Sequence, residues 1–140
     1  MTTAPDQAVR QLMSSDKQLL SMFGIDLVDV EEGLARLSLR VTGSMVNSQS
    51  FCHGGIMFSL ADTASAYACA SRGVNPATID AQISYLQPAR LDDIVFATAR
   101  VLRPSTKVLH VETAVERNSG ESLARYRGTF YNRGALAPAT

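Results

Sequence analysis

Apolar and polar residues alternate in six separate runs of this chain, and between the second and third of them lies a stretch where the alternation stops. The runs are IDLVDVE (25–31), LARLSLRV (34–41), ATIDAQISYLQ (77–87), DIVFATARVL (93–102), VLHVETAVE (108–116) and LARYRGTFYN (123–132). A period of two predicts strands with one covered and one wetted face. Glu32-Gly33 separates the first pair and predicts a hairpin, and the later runs are divided by segments of turn chemistry, PARLD, RPSTK and RNSGE. Strands joined by such short connections form an antiparallel sheet.

The exception is Gly54–Ala70, GGIMFSLADTASAYACA. Drawn as a helix it is apolar around its whole circumference, which predicts a buried helix that ends at Arg72-Gly73. Before it, residues 42–52 are rich in Gly, Ser, Asn and Gln and predict a loop. Within residues 1–22 a looser helical period runs from Pro5 to Met22 through Val9, Leu12, Met13, Leu19 and Leu20. The order is a helix, two strands, a long apolar helix, then four strands. One face of the sheet must cover the apolar helix, so the expected class is α+β, one domain over residues 1–140 with a frayed tail at 134–140. The two edge strands of such a sheet favour pairing with a second copy.

Composition narrows the functional classes. At 140 residues, with 46% apolar and 19% charged residues, the chain has the makings of a globular core. Thirteen basic residues balance thirteen acidic ones, so the basic excess of a nucleic-acid binder is missing. Two cysteines and two histidines are too few for a convincing zinc site, and no metal is expected. The first 25 residues lack an apolar signal core, and Gly54–Ala70 is short for a membrane span and carries a charge. A cytoplasmic protein without a membrane partner is expected.

That charge, Asp62, is the only one between Gly54 and Ala70. Burying an unpaired carboxylate is costly, so it is either paired within the core or an interface, or it faces a cavity as a general base or nucleophile. Gly54-Gly55 at the helix start leaves bare N–H groups at the positive end of the helix, which suits a developing oxyanion. A tight turn or close packing against a strand explains the glycines as well. Cys52-His53 suggests a thiol–imidazole dyad, but adjacent side chains seldom face each other and no orienting group is evident. His110 reads as a strand residue and Cys69 as a small buried apolar one.

Taken together, Asn47, Cys52-His53-Gly54-Gly55 and Phe58-Ser59-Leu60-Ala61-Asp62-Thr63-Ala64 resemble the hot dog fold acyl-CoA thioesterases, in particular the phenylacetyl-CoA thioesterases of phenylacetate degradation. GIDLVDVEEG and YRGTF add to the likeness, which covers nearly the whole chain. The resemblance implies a curved antiparallel sheet wrapped around a central helix, a homodimer with active sites at its interface, and a homotetramer. It implies Asp62 as general base or nucleophile, the Gly54 N–H as oxyanion donor, and Asn47 as an aid in placing water or carbonyl. His53, Gly55 and Phe58 would lie beside the substrate. No bound cofactor is implied; coenzyme A enters only as part of the acyl-CoA substrate. Arg72, Arg103 and Lys107 are candidates for its phosphates, and equally for solvated surface charges. Met22, Phe23, Met45, Phe58 and Tyr67 are candidates for an acyl pocket or for core. A hot dog hydratase and a non-catalytic acyl-CoA-binding module are the alternatives. The first needs a histidine paired with an acid, and the second gives Asp62 no purpose.

Overall fold

The computed structural model describes residues 2–103 and 105–135. Six antiparallel strands form one sheet: β1 (Asp26–Glu31), β2 (Leu34–Arg40), β3 (Pro76–Tyr85), β4 (Ile94–Val101), β5 (Val108–Arg117) and β6 (Ser122–Asn132), in spatial order β1-β2-β4-β5-β6-β3. Each matches one of the alternating runs to within two residues. The inward positions are largely Ala, Val and Leu: Ala35, Leu37 and Leu39 on β2, Val95, Ala97 and Ala99 on β4, Leu109, Val111 and Val115 on β5. The alanines let the long helix lie close to the sheet, and it packs against β2 through β6. This is the α+β arrangement of a sheet wrapped around one helix.

The predicted N-terminal helix is two. A helix α1 (Ala4–Ser15) is capped by the Thr3 hydroxyl, which accepts the Asp6 N–H at 3.2 Å. A second, α2 (Lys17–Phe23), follows after a break at Asp16. The cause is a long-range contact: the hydroxyl of fully buried Tyr67 donates to Asp16 Oδ2 at 2.7 Å, holding that residue out of helical geometry.

The long helix, α3 (Gly54–Ala70), has the bounds its composition predicts. Its C-terminal end is tied to the β1–β2 turn, where the Gly33 N–H donates to the Ser71 hydroxyl at 2.8 Å. The frayed tail expected from residue 134 lies, from residue 136 onward, outside the described residues. Gly134 and Ala135 are held, through Asn132 Oδ1 at 3.0 Å and Asn75 Nδ2 at 3.3 Å. Strand β3 is a sheet edge, and Ile79, Tyr85 and the following Leu86 are exposed there.

Candidate active site

Asp62 sits at the middle of α3 on the side facing β3 and β6, half-buried. Two hydroxyls converge on it. Tyr126 on β6 donates to Oδ1, and Thr78 on β3 approaches Oδ1 at 3.1 Å and Oδ2 at 3.4 Å. Among the described residues no Lys, Arg or His pairs with it. The carboxylate is therefore held by neutral donors, which orient a charge without cancelling it. Burial, then the hydrogen bond to Asp62 and its charge, push the Tyr126 phenol well above its ordinary range, so it stays a donor.

The other end of the candidate chemistry is the N-terminal tip of α3. His53 occupies the cap position but its side chain caps nothing, and the Gly54 and Gly55 N–H groups have no acceptor among the described residues. They remain the positive, unsatisfied donors of a helix start. Gly54 is glycine for a spatial reason: a Cβ there would lie 2.7 Å from the ring of Tyr85. The Tyr85 hydroxyl donates to the Gly54 carbonyl at 2.7 Å. Beside this tip opens a mainly apolar cavity of about 430 Å³, lined by Cys52, Gly54, Met57, Tyr85, Leu86 and Pro88 among others. Gly54 and Asp62 share a helix, and eight residues at 1.5 Å each put them about 12 Å apart along its axis.

Asn47 organises the loop that leads into α3. Its Oδ1 accepts the N–H groups of Gln49 at 2.9 Å and Phe51 at 3.1 Å, leaving the amide NH₂ available. His53 and Gly55 are exposed at the helix start, and Phe58 stands one turn before Asp62 with its ring edge-on to Tyr126 at 5.6 Å. The Cys52 thiol points to the His53 carbonyl at 3.5 Å rather than to the imidazole. Burial, then the Asp93 charge, push it up to about 11, and burial pushes Cys69 up to about 12. Neither is a ready thiolate.

The candidate cations cluster at the opposite end. Arg72 follows the C-terminus of α3 beside Gly33, its Nε buried and without a hydrogen-bond partner among the described residues. Val101 donates to the Gly33 carbonyl at 2.9 Å, so the connection bearing exposed Arg103 and Lys107 leaves from the same corner. Of the residues suggested for an acyl pocket, Tyr67 and Met45 are core, Met22 is exposed, and none lines the cavity beside Gly54. Among the described residues no group of three His, Cys, Asp or Glu could hold a metal ion, and no helix is long and apolar enough to cross a membrane.

Sequence reasoning missed Tyr126, Thr78 and Tyr85. For Tyr126 a signal existed: it occupies an inward position of β6 between Ala124 and Gly128, and a buried tyrosine needs a partner for its hydroxyl. Thr78 and Tyr85, near the two ends of an edge strand, carried none.

Residues 49–124 match the thioesterase superfamily. The acyl-coenzyme A thioesterase PaaI of Escherichia coli is 35% identical over 111 residues, 79% of each chain. The solved structure of the E. coli PaaI protein, from the phenylacetic acid degradation operon, superposes with a TM-score of 0.88 at 29% identity, covering 96% of this chain and 99% of that one. A Streptococcus mutans protein solved with acetyl-CoA bound superposes at 0.77, with 25% identity over 81% of this chain and 91% of that one. The chain belongs to the thioesterase superfamily, with the hot dog architecture, and is a thioester hydrolase.

Proposed function

We propose that this chain hydrolyses acyl-CoA thioesters, with phenylacetyl-CoA and its ring-hydroxylated relatives as the favoured substrates, releasing free acid and coenzyme A in the cytoplasm. The observation that carries the reading is Asp62: a carboxylate inside an apolar helix, held by two hydroxyls and paired with no cation among the described residues. The naming of the E. coli relative as an acyl-CoA thioesterase, and its operon, supply the substrate class.

In this reading the Gly54 N–H donates to the thioester oxygen as negative charge gathers there. Asp62 takes the proton of an attacking water, or attacks the carbonyl carbon itself to give a mixed anhydride that water then cleaves, releasing the acid and restoring the carboxylate. The carbon–oxygen bond forms, the carbon–sulfur bond breaks, and the thiolate of coenzyme A leaves and takes up a proton. A thiolate leaves without a strong acid, so one carboxylate and one amide donor suffice and no cofactor is needed. Asn47 would place the water or carbonyl with its free NH₂, and His53, Gly55 and Phe58 would border the acyl group. The cavity beside Gly54 suits a flat apolar ring.

The separation of about 12 Å between Gly54 and Asp62 is too long for both to serve one carbonyl. The reading therefore takes the amide from one copy and the acid from another, joined along the exposed β3 edge into a dimer, with dimers assembled into a tetramer. Arg72, Arg103 and Lys107 would meet the coenzyme A phosphates, and reversing either loop charge should raise KM far more than it lowers kcat. Thiol release across a panel of acyl-CoAs tests the whole reading. Free thiol from an aromatic thioester, lost in Asp62→Asn, supports it. Water added across a double bond, binding without turnover, or an active Asp62→Asn rejects it.

A further inference from the structure

Tyr126 is 1% exposed, yet its hydroxyl ends on the carboxylate of Asp62 rather than in the core. The surroundings are shaped for that reach. A Cβ at Gly128, two residues along β6, would lie 2.7 Å from the Tyr126 hydroxyl and 2.8 Å from its ring. The ring thus leans along bare backbone toward α3, and the edge contact with Phe58 holds it from the helix side. One turn beyond Asp62 the Ser65 hydroxyl is fully buried, donating to the Ala61 carbonyl at 2.7 Å and lying 2.6 Å from Thr113 Oγ1, so it is satisfied elsewhere.

The donors are distributed unevenly over the carboxylate. Tyr126 reaches Oδ1 alone, and Thr78 lies nearer Oδ1 than Oδ2. Oδ2, met among the described residues only by Thr78 at 3.4 Å, has the greater capacity left for a further proton or carbon. We infer that Tyr126 is a positioning residue, its hydroxyl fixing which Asp62 oxygen is presented to the reacting molecule. This rests on the reading of Asp62 as the reacting group.

The test is Tyr126→Phe, which keeps the ring against Phe58 and over Gly128 and removes one oxygen. With phenylacetyl-CoA, kcat at its plateau should fall about tenfold with KM within about twofold, because the carboxylate is misdirected while binding is untouched. Infrared spectra of the carboxylate stretch, with the Asp62→Asn spectrum subtracted, should shift in Tyr126→Phe, a readout independent of turnover. Loss of kcat with the carboxylate stretch unmoved would mean the ring only packs and would overturn the inference, as would an unchanged kcat. Asp62→Asn measured alongside keeps the two ideas apart. If it stays active, the proposed function fails; if it is dead while Tyr126→Phe behaves as wild type, only the positioning role fails.

Discussion

Two buried tyrosines each donate to an aspartate, Tyr67 to Asp16 and Tyr126 to Asp62, and in both cases burial followed by the hydrogen bond pushes the phenol well above its ordinary range. The pairs differ around the acceptor. Asp16 sits at the α1–α2 junction, where its own N–H donates to the Met13 carbonyl and its carbonyl accepts the Leu20 N–H. Its work is to turn the chain. Asp62 is mid-helix, where its backbone is already satisfied, and a second hydroxyl from the sheet edge reaches its carboxylate. A buried phenol on a carboxylate is thus no mark of chemistry. What singles out Asp62 is its place in mid-helix, free of any turn-making task, beside an edge strand that brings a second hydroxyl to it.

The sharpest way to break this contrast is to neutralise each aspartate. Asp62→Asn should cost about 10²–10⁴ in kcat, the span of a lost general base, with the thermal unfolding midpoint little changed. Asp16→Asn should lower that midpoint and leave kcat within about twofold. Thiol-release kinetics and calorimetry on both variants decide it; a collapse of turnover in both would erase the distinction.

Next in size is Gly54→Ala. Alanine suits a helix start at least as well as glycine, so the backbone tolerates it, but the new methyl occupies the space of the Tyr85 ring. That ring is half-exposed and can swing, and the free direction is into the cavity lined by Met57 and Leu86. A fall of about tenfold in kcat/KM, without loss of stability, is the expected result, since reacting groups lose alignment rather than support. Full activity would remove Gly54 from the site.

How much of this was legible beforehand follows from the range of each interaction. The strands and α3 were readable because their signal is local: period two over seven to eleven residues, or an apolar stretch closed by Arg72-Gly73. Asp62 was readable for the same reason, as a charge out of keeping with its neighbours. The break at Asp16 was not, because its cause is 51 positions away at Tyr67. Nor were the partners of Asp62, which lie 16 and 64 positions along the chain. Gly128 shows the limit well: it reads as a flaw in a strand until the Tyr126 ring is seen resting on it.

Tyr67→Phe is a milder probe. It deletes the hydroxyl that holds Asp16 and leaves the ring in the core. A lost hydrogen bond of this kind costs on the order of 1 kcal/mol, so denaturant unfolding should register a small drop in stability while kcat stays at the wild-type value. A fall in kcat comparable to that of Tyr126→Phe would mean that the N-terminal helices reach the active site.

The smallest effect tests what the two pairs share. Burial pushes Cys52 up to about 11 and Cys69 up to about 12 from 9.0, and it raises both phenols from 10.0. Each group holds its proton more tightly folded than unfolded, so its contribution to stability is whole below the unfolded value and is lost as pH rises through the folded one. The unfolding midpoint should be flat up to about pH 9, then decline, the thiols acting first and the phenols from about pH 10. Tyr67→Phe and Tyr126→Phe each remove one phenol from that sum. They should therefore make the slope above pH 10 shallower by similar small amounts, because the alkaline loss depends on burial, which the pairs have in common, and not on the sheet edge that separates them. Markedly unequal slopes would mean that one tyrosine is already reached by water in the native state, and Tyr126, whose partner Asp62 is only half-buried, is the one whose role in fixing that carboxylate would then fail.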